Sequence, residues 1–156
     1  MDYNIMIQNN KVEFGQMPQE TFLTGLLSAF GNRFQTVADS FFDELTWKQF
    51  FAIVCINLCK ESPTINNLSE IMACSHQNVK QILLKLEKKG FVEMYVDEKD
   101  RRKQRIVTTG VCDEFCNKNA EESQIRMNQM FEGISEEQIF ATIQTIIQME
   151  RNLKKQ

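Results

Sequence analysis

Apolar residues recur at helical spacing near both ends of the chain. The first run follows Pro18, which suits an opening helical turn, and it predicts a helix over 18–39. In the last run Ser135 can cap a helix with Gln138 at its third position, which predicts a helix over 135–155. The main apolar positions of the two helices are Phe22, Leu23, Leu26, Leu27 and Phe30, and Ile139, Ile143, Ile146, Ile147 and Leu153.

Two further helices are marked by their own end signals. In LTWKQF, Thr46 can cap a helix with Gln49 at its third position, and apolar residues continue until Pro63 stops the pattern. Later in the chain, apolar residues from Val111 onward predict a long helix that ends near Gly133. The chain is therefore predicted to be mainly helical.

Two shorter helices in the middle of the chain are predicted to pair as a helix-turn-helix. Thr64 can cap the first, Ser75 can cap the second, and Gly90 suits the end of the second. The apolar face of the second helix comprises Val79, Ile82, Leu83 and Leu86, and its other face carries Gln77, Asn78, Lys80, Gln81, Lys85 and Lys88. Such a helix can enter a DNA major groove, whereas on an ordinary surface helix these polar groups would only be solvated.

A hairpin follows the second of these helices. Large and polar side chains alternate in Phe91–Val96 and in Arg105–Thr108, which predicts two strands joined by the turn DEKDRRKQ. Asp100 lies two positions before Arg102, a spacing at which a carboxylate can hold a guanidinium in a fixed orientation. A helix-turn-helix followed by such a hairpin is a winged helix, whose basic turn can reach the minor groove beside the reading helix.

Charge is distributed unevenly along the chain, whose 156 residues carry a net charge of -3. Residues 76–105 include nine basic and five acidic residues, a net charge of +4, and the rest of the chain has a net charge of -7. Five of the seven residues from Lys99 to Arg105 are basic. A solvated hairpin is the ordinary explanation of such a run, but its place directly after an amide-rich and lysine-rich helix favours contact with phosphates.

The segment from Leu45 to Thr109 resembles the MarR family of bacterial winged-helix transcription regulators. The resemblance is carried by LTWKQF, TINNLSEIMACS, VKQILLKLEKKGFVEMY and DEKDRR. It implies one mainly α domain over 1–156, with a winged helix-turn-helix DNA-binding region at 45–109 and dimerisation helices at 18–39 and 110–155. It also implies a homodimer on a pseudo-palindromic operator in double-stranded DNA, with a small-molecule or oxidant signal that alters the spacing of its two reading helices. We predict a ligand-responsive repressor, and activation remains the alternative.

By the same resemblance, Arg102 enters the minor groove, Asp100 is its brace, and 75–81 is the segment that reads bases. The predicted DNA-contacting residues are Ser75, His76, Gln77, Asn78, Lys80, Gln81 and Lys85 on the helix, and Lys99, Asp100, Arg101, Arg102 and Lys103 on the wing. One departure follows the wing, where family members usually continue with Leu-Thr, two residues and Gly. Here Gly110 directly follows Thr109, so the start of the next helix is left open.

The terminal apolar stripes hold more apolar surface than a winged helix built from the middle segment can bury. Completion of a monomeric core is one alternative. A two-fold interface would bury the same surface and would also supply a second reading head. We therefore predict that the ten apolar positions of the two terminal helices form the interface of a homodimer.

The five cysteines show no spacing typical of a secreted disulfide framework, which favours reduced thiols in a cytoplasm. Cys55/Cys59 and Cys112/Cys116 are i, i+4 pairs that suit helix packing, with a redox switch or a soft-metal site as alternatives, and Cys74 stands alone. The start, MDYNIMIQNN, lacks the pattern of a secretory signal, and no apolar run is long enough to span a membrane.

No enzyme or cofactor motif stands out in the sequence. There is no Gly-rich phosphate loop, no HExxH and no GxSxG, and His76 is the one histidine. Trp47 with Phe41 or Phe42 could line an effector cavity, although aromatic residues at such spacings more often form a core. We predict a DNA-binding regulator without cofactor or metal. Two alternatives remain: a winged-helix module that docks to proteins without reading DNA sequence, and a regulator that senses oxidants through a thiol.

Overall fold

The computed structural model describes residues 17–155, so the N-terminal stretch without a secretory pattern lies outside the described residues. In chain order the elements are α1 (Gln19–Ala38), α2 (Trp47–Leu58), α3 (Ile65–Ile71), α4 (His76–Lys88), β1 (Val92–Val96), β2 (Gln104–Thr108), α5 (Gly110–Met130) and α6 (Glu136–Leu153). The chain divides into two compact units. The first ends at Gly110 and the second begins at Val111. The predicted mainly α, winged helix-turn-helix fold is confirmed.

The helices begin at the capping residues that the sequence pattern indicated. Thr46 Oγ1 accepts a hydrogen bond from the N–H of Gln49 at 3.4 Å, and Gln49 Oε1 accepts from the N–H of Thr46 at 3.2 Å. Ser135 forms the same reciprocal pair with the glutamine three residues on. Each pair satisfies two N–H groups that have no partner within the helix. Thr64 adds a third capping box, with an asparagine at the third position.

The turn between α3 and α4 contains a residue in the left-handed region. Ala73 has a φ of +49°, a conformation that costs an L-residue roughly 1–2 kcal/mol. The N–H of Cys74 donates to the carbonyl of Ser69 at 3.1 Å and closes the turn. Because the turn is so short, Ser75 caps α4 almost as soon as α3 has ended. Nothing in the sequence pattern had indicated the unusual backbone at Ala73.

The predicted end of α4 at Gly90 is confirmed. Gly90 has a φ of +77°, which glycine adopts without strain, and its N–H donates to the carbonyl of Glu87 at 2.9 Å. The N–H of Phe91 donates to the carbonyl of Leu86 at 3.0 Å, which completes a Schellman motif. Because the N–H of Phe91 is bonded to the last turn of α4, β1 begins one residue later than the predicted strand, at Val92.

The hairpin is tied to the helix-turn-helix through its second strand. β1 and β2 pair antiparallel, with Val92 opposite Thr108. On the other edge of β2, the N–H of Ile106 donates to the carbonyl of Pro63 at 3.0 Å, and Thr64 forms a bridge with Arg105. The loop before α3 therefore pairs with the outer edge of β2 through one isolated bridge. It fixes the hairpin relative to α3 and α4.

The core of the first unit is formed by apolar side chains from α2, α3, α4 and the hairpin. The largest fully buried ones include Ile53, Leu68, Leu83, Leu86 and Ile106. Each such side chain contributes about 1.5–3 kcal/mol on burial. This core holds the apolar face of α4 in place and leaves the opposite face of that helix open to solvent.

The second unit buries much less of its apolar surface within one chain. In α5, only Cys112 and Phe115 are buried, and in α6 no residue is buried. The helix after the wing starts at Gly110, which settles the start that the sequence had left open. Among residues 17–155, no helix is both long enough and apolar enough to cross a membrane.

Candidate nucleic-acid interface

The side chains of α4 fall on two distinct faces. The buried ones are Val79, Ile82, Leu83 and Leu86. The exposed ones include all the predicted reading residues of the helix, Gln77, Asn78, Lys80, Gln81 and Lys85. Because the buried face fixes the helix in the core, the amide and ammonium groups are held at the surface on a rigid element.

The amino end of α4 is open to a ligand. Ser75 and His76 are exposed, and Ser75 Oγ accepts a hydrogen bond from the N–H of Asn78 at 3.3 Å. The first turn of a helix carries outward-pointing N–H groups and the positive end of the helix dipole, which together favour a phosphate. The predicted contact residues at this end therefore surround an anion-attracting position.

The wing tip holds one guanidinium in a fixed orientation. Arg102 Nε donates to Asp100 Oδ1 at 3.1 Å, and Arg102 Nη2 donates to Asp100 Oδ2 at 3.5 Å. Lys103 Nζ lies 3.4 Å from the same carboxylate, and these contacts, led by the bond from Arg102, lower the pKa of Asp100. The side chain of Arg102 is nevertheless 91% exposed, against 26% for Asp100. The arginine is thus oriented from one side and open on the other.

A second carboxylate, Asp97, anchors the base of the wing and was not among the predicted site residues. It is 5% exposed, and its Oδ1 accepts from the backbone N–H groups of Lys99 at 2.8 Å and Asp100 at 2.9 Å. Its Oδ2 accepts from Arg105 Nε, and this bond is the main cause that lowers the pKa of Asp97 from 3.8 to about 2. Arg105 Nη1 also donates to the carbonyl of Ser62 at 2.7 Å. The sequence signal for this anchor was an acidic residue at the start of a basic turn.

The amino end of α4 and the wing tip border one cleft of about 270 Å³. Its lining residues are His76 and Lys80 from α4, Arg102, Lys103 and Gln104 from the wing, and Thr64, Ile65 and Asn66 from the start of α3. The lining contains cationic and hydrogen-bonding groups and no carboxylate. The structure therefore brings His76 and Lys80 of the predicted helix group together with Arg102 and Lys103 of the predicted wing group around one cationic cleft.

The other eight predicted contact residues do not line this cleft, and five of them share an element with residues that do: Ser75, Gln77, Asn78, Gln81 and Asp100. Lys85 borders a separate cleft of about 500 Å³ at the carboxyl end of α4, together with Lys88, Lys89 and three acidic residues of the loop before α2. Lys99 and Arg101 are exposed at the outer end of the wing. These three cations do not line the cationic cleft.

The positions predicted for dimerisation lie at the surface of the single chain. Leu23, Leu26, Phe30, Ile143, Ile146, Ile147 and Leu153 are exposed, and Phe22, Leu27 and Ile139 are half-buried. Contact between so many large apolar side chains and water is unfavourable. The structure thus leaves these stripes available for a partner surface.

The five cysteines of the chain differ in burial. Cys55 and Cys112 are buried, and Cys59, Cys74 and Cys116 are half-buried. Burial raises the pKa of Cys55 and raises that of Cys112 to about 12, which disfavours the reactive thiolate. In the part of the chain that the structure describes, no three His, Cys, Asp or Glu side chains are grouped to hold a metal ion.

Trp47 lies in an aromatic cluster. Its ring centroid is 4.9 Å from that of Phe34 in an edge-to-face arrangement, and 5.8 Å from that of Phe50. Phe41 lies 6.5 Å away and Phe51 6.4 Å away. These separations are those of packed aromatic pairs. Trp47, Phe34, Phe41 and Phe50 are half-buried and Phe51 is exposed, so this cluster lies at the edge of the core.

A helix-turn-helix whose second helix exposes a polar face, followed by a cationic hairpin, defines the winged-helix class. Residues 45–103 of this chain match the model of the MarR family. The matched residues include α2, α3, α4, β1 and the wing tip. The resemblance seen in the sequence is therefore confirmed for the winged-helix region.

Solved structures share the fold over nearly the whole chain. A MarR protein from Peptoclostridium difficile is 17% identical, with a TM-score of 0.78 over 94% of this chain and 96% of that one. BpsR from Bordetella bronchiseptica, whose DNA binding is regulated by 6-hydroxynicotinic acid, is 15% identical, with a TM-score of 0.73 over 87% and 98%. FabT from Streptococcus pneumoniae, solved in complex with DNA, is 19% identical, with a TM-score of 0.63 over 88% and 99%. No protein of curated function matches the sequence.

Proposed function

We propose that this protein is a transcriptional regulator that binds double-stranded DNA as a homodimer on a pseudo-palindromic operator. It acts as a repressor, and a small-molecule ligand alters its affinity for the operator. The observation that carries the proposal is the cationic cleft in which the exposed amino end of α4 meets the braced Arg102. An α-helix fits the major groove, and an arginine suits the narrow minor groove beside it.

The exposed side chains of α4 divide into two chemical roles. Gln77, Asn78 and Gln81 carry amide groups that can pair with adenine through two hydrogen bonds. Lys80 and Lys85 carry ammonium groups that neutralise phosphates and set the position of the helix. Because the buried face of α4 is locked in the core, these groups approach DNA without rearrangement of the helix.

The dimer is supported by the uncovered apolar stripes of α1 and α6. A two-fold interface would bury them and would place two α4 helices on successive turns of one face of the duplex, about 34–36 Å apart. A stable interface buries roughly 1,200–2,000 Å². The long apolar stripes of two helices from each protomer can supply an area of that size.

The response to a ligand is supported by relatives of the same fold. BpsR is regulated in its DNA binding by 6-hydroxynicotinic acid, and FabT forms a complex with DNA. For this chain we propose regulation of the same kind. The ligand acts by changing the fraction of dimers whose two α4 helices have the spacing that the operator requires.

Selection of bound duplexes from a random pool tests the proposal. We expect enrichment of a pseudo-palindrome with half-sites about one helical turn apart, bound with an affinity that falls steeply as salt rises. The matched variant replaces Lys99, Arg101, Arg102 and Lys103 with glutamine and should lose the enrichment. Failure of the native protein to enrich any duplex would contradict the proposal and favour the protein-docking alternative.

A further inference from the structure

One large apolar side chain lies in the middle of the polar face of α4. Leu84 is 40% exposed, and it shares the exposed face with Gln77 and Gln81 at helical spacings of seven and three residues. The rise of 1.5 Å per residue places Leu84 about 10 Å beyond Gln77 along the helix axis, roughly three base-pair steps. Leu84 therefore lies in line with the side chains proposed to read bases.

Neither core packing nor helix propensity accounts for a leucine at this position. The core side of α4 is already formed by four buried apolar residues, and Leu84 is not among them. Leucine, lysine and glutamine favour helices about equally, so a polar residue would serve the helix as well. The 40% of Leu84 that remains exposed gains free energy only when a partner covers it.

The charges around Leu84 indicate the chemistry of that partner. Lys80 and Lys88 lie one turn before and one turn after it, and Lys85 and Glu87 lie nearby on the same helix. All four are exposed, so the charge around Leu84 is three cations against one anion. A surface that complements this pattern has a small apolar group flanked by anions. The major groove of DNA offers that combination at thymine, because its 5-methyl group is an apolar group on the base edges and phosphates line the groove on both sides.

We propose that Leu84 contacts the 5-methyl group of one thymine in each half-site of the operator. The proposal rests on the proposed function and makes Leu84 a specificity-determining residue that the sequence pattern had not indicated. It also fits the neighbouring amides, since Gln77 and Gln81 suit adenine. The half-site read by α4 should therefore be rich in A·T pairs, with one essential thymine about three steps from the base read by Gln77.

The test replaces thymine by uracil, which removes the methyl group and keeps every Watson–Crick hydrogen bond. Each thymine of the half-site in a duplex obtained by selection is replaced in turn. The affinity of the 156-residue protein for each duplex is then measured by fluorescence anisotropy. At one position we expect binding to weaken about threefold to fivefold per half-site, as is typical when one buried methyl group is removed. Leu84→Ala should bind the thymine duplex more weakly by a similar factor and should be insensitive to uracil at that position.

Two control variants separate this contact from general effects. Leu84→Met keeps apolar reach and should retain sensitivity to uracil, whereas Leu58→Ala removes an exposed leucine of α2 and should change nothing. Equal sensitivity to uracil in the native protein and in Leu84→Ala, or no sensitive position in the native protein, overturns the role of Leu84 while DNA binding stands. Absence of binding to any duplex overturns the proposed function as well, so the two failures are distinguishable.

Discussion

At the scale of single residues, two carboxylates give the wing its defined shape. Asp97 ties the base of the hairpin to Arg105 and to backbone N–H groups, and Asp100 orients Arg102 at the tip. The acidic residues inside the basic turn therefore do not merely reduce its charge. They hold cationic groups in fixed orientations, which would lower the conformational entropy lost on binding an anionic partner such as DNA.

Arg102 should contribute both charge and orientation to binding. We expect Arg102→Ala to weaken binding to the selected duplex by about tenfold or more per half-site, because a minor-groove arginine gains from the concentrated negative potential there. The slope of log affinity against log salt should become shallower by about 0.9 for each phosphate that the wing no longer neutralises. Both quantities can be read from binding titrations at several salt concentrations.

Two further variants show whether the orientation of Arg102 matters. Arg102→Lys keeps the positive charge but loses the planar guanidinium with its forked N–H donors. The slope of log affinity against log salt should therefore return to the native value, while the preference for A·T pairs stays reduced. Lys118→Ala removes an exposed cation of α5 and serves as the control for net charge. A native slope and a native base preference in Arg102→Ala would show that the wing does not enter the DNA.

The Asp97–Arg105 pair should make the stability of the fold depend on pH in the acid range. The pKa of Asp97 is lowered from 3.8 to about 2 in the folded chain, so its ionised form stabilises the fold above about pH 4. That contribution is lost as pH falls toward 2. We therefore expect Asp97→Asn to unfold at lower urea concentrations than the native protein at pH 5–7, and the difference to shrink between pH 4 and pH 2 and to be lost below pH 2.

The difference between the two proteins is the informative quantity in that experiment. Asp100 and Glu137 also have lowered pKa values, but they are present in both proteins. Their contributions to the pH dependence of stability therefore cancel in the difference. A difference in urea midpoint that stayed constant from pH 7 to pH 2 would show that the charge of Asp97 does not stabilise the wing.

At the scale of elements, the position of α4 depends on the cap that begins it. Ser75→Ala removes the acceptor of the Asn78 N–H and should lower the free energy of unfolding by about 0.5–2 kcal/mol. Ser75→Asp restores an acceptor and should restore stability, but its negative charge should oppose a phosphate at the same place. Urea denaturation should therefore show that the aspartate variant has recovered its stability, while DNA titration should show that it still binds DNA poorly.

A result in which stability and DNA affinity recover together in Ser75→Asp would argue against a phosphate near the amino end of α4. Neither variant alters the buried face of the helix, because Ser75 is exposed. The comparison therefore reports on the surface at the amino end of α4 and leaves the core unchanged.

At the scale of the whole molecule, the uncovered stripe of α6 should decide the oligomeric state. We expect the native protein to sediment as a dimer. Ile143→Glu combined with Ile147→Glu should give a folded monomer, since both side chains are exposed in the single chain and a buried charge in the interface is costly. The monomer should bind a palindromic duplex much more weakly, because it presents one reading head.

The matched control is Gln144→Glu, which adds a charge on the same helix at an exposed polar position. It should leave the dimer intact in analytical ultracentrifugation. A dimer that survived both isoleucine substitutions would show that α6 lies outside the interface. A native protein that sedimented as a monomer would contradict the proposal that two α4 helices bind one operator.

Local chemistry along the chain was sufficient to predict the elements. The capping boxes at Thr46 and Ser135 and the helix end at Gly90 act between residues only a few positions apart, so their signals are complete in the sequence. The same holds for the apolar face of α4 and the Asp100–Arg102 pair, whose partners are two positions apart. Together these short-range patterns were enough to predict a winged helix.

Only the tertiary structure decided how these elements combine. Arg105 reaches a carbonyl 43 positions away at Ser62, and no pattern of neighbouring residues predicts that partner. The cationic cleft likewise depends on where the hairpin packs, because His76 and Arg102 meet only once β2 is bonded to the loop before α3. Exposure is also a property of the assembled core, so the fold was needed to show that Asp97 is buried and that Leu84 is partly exposed on the polar face of α4.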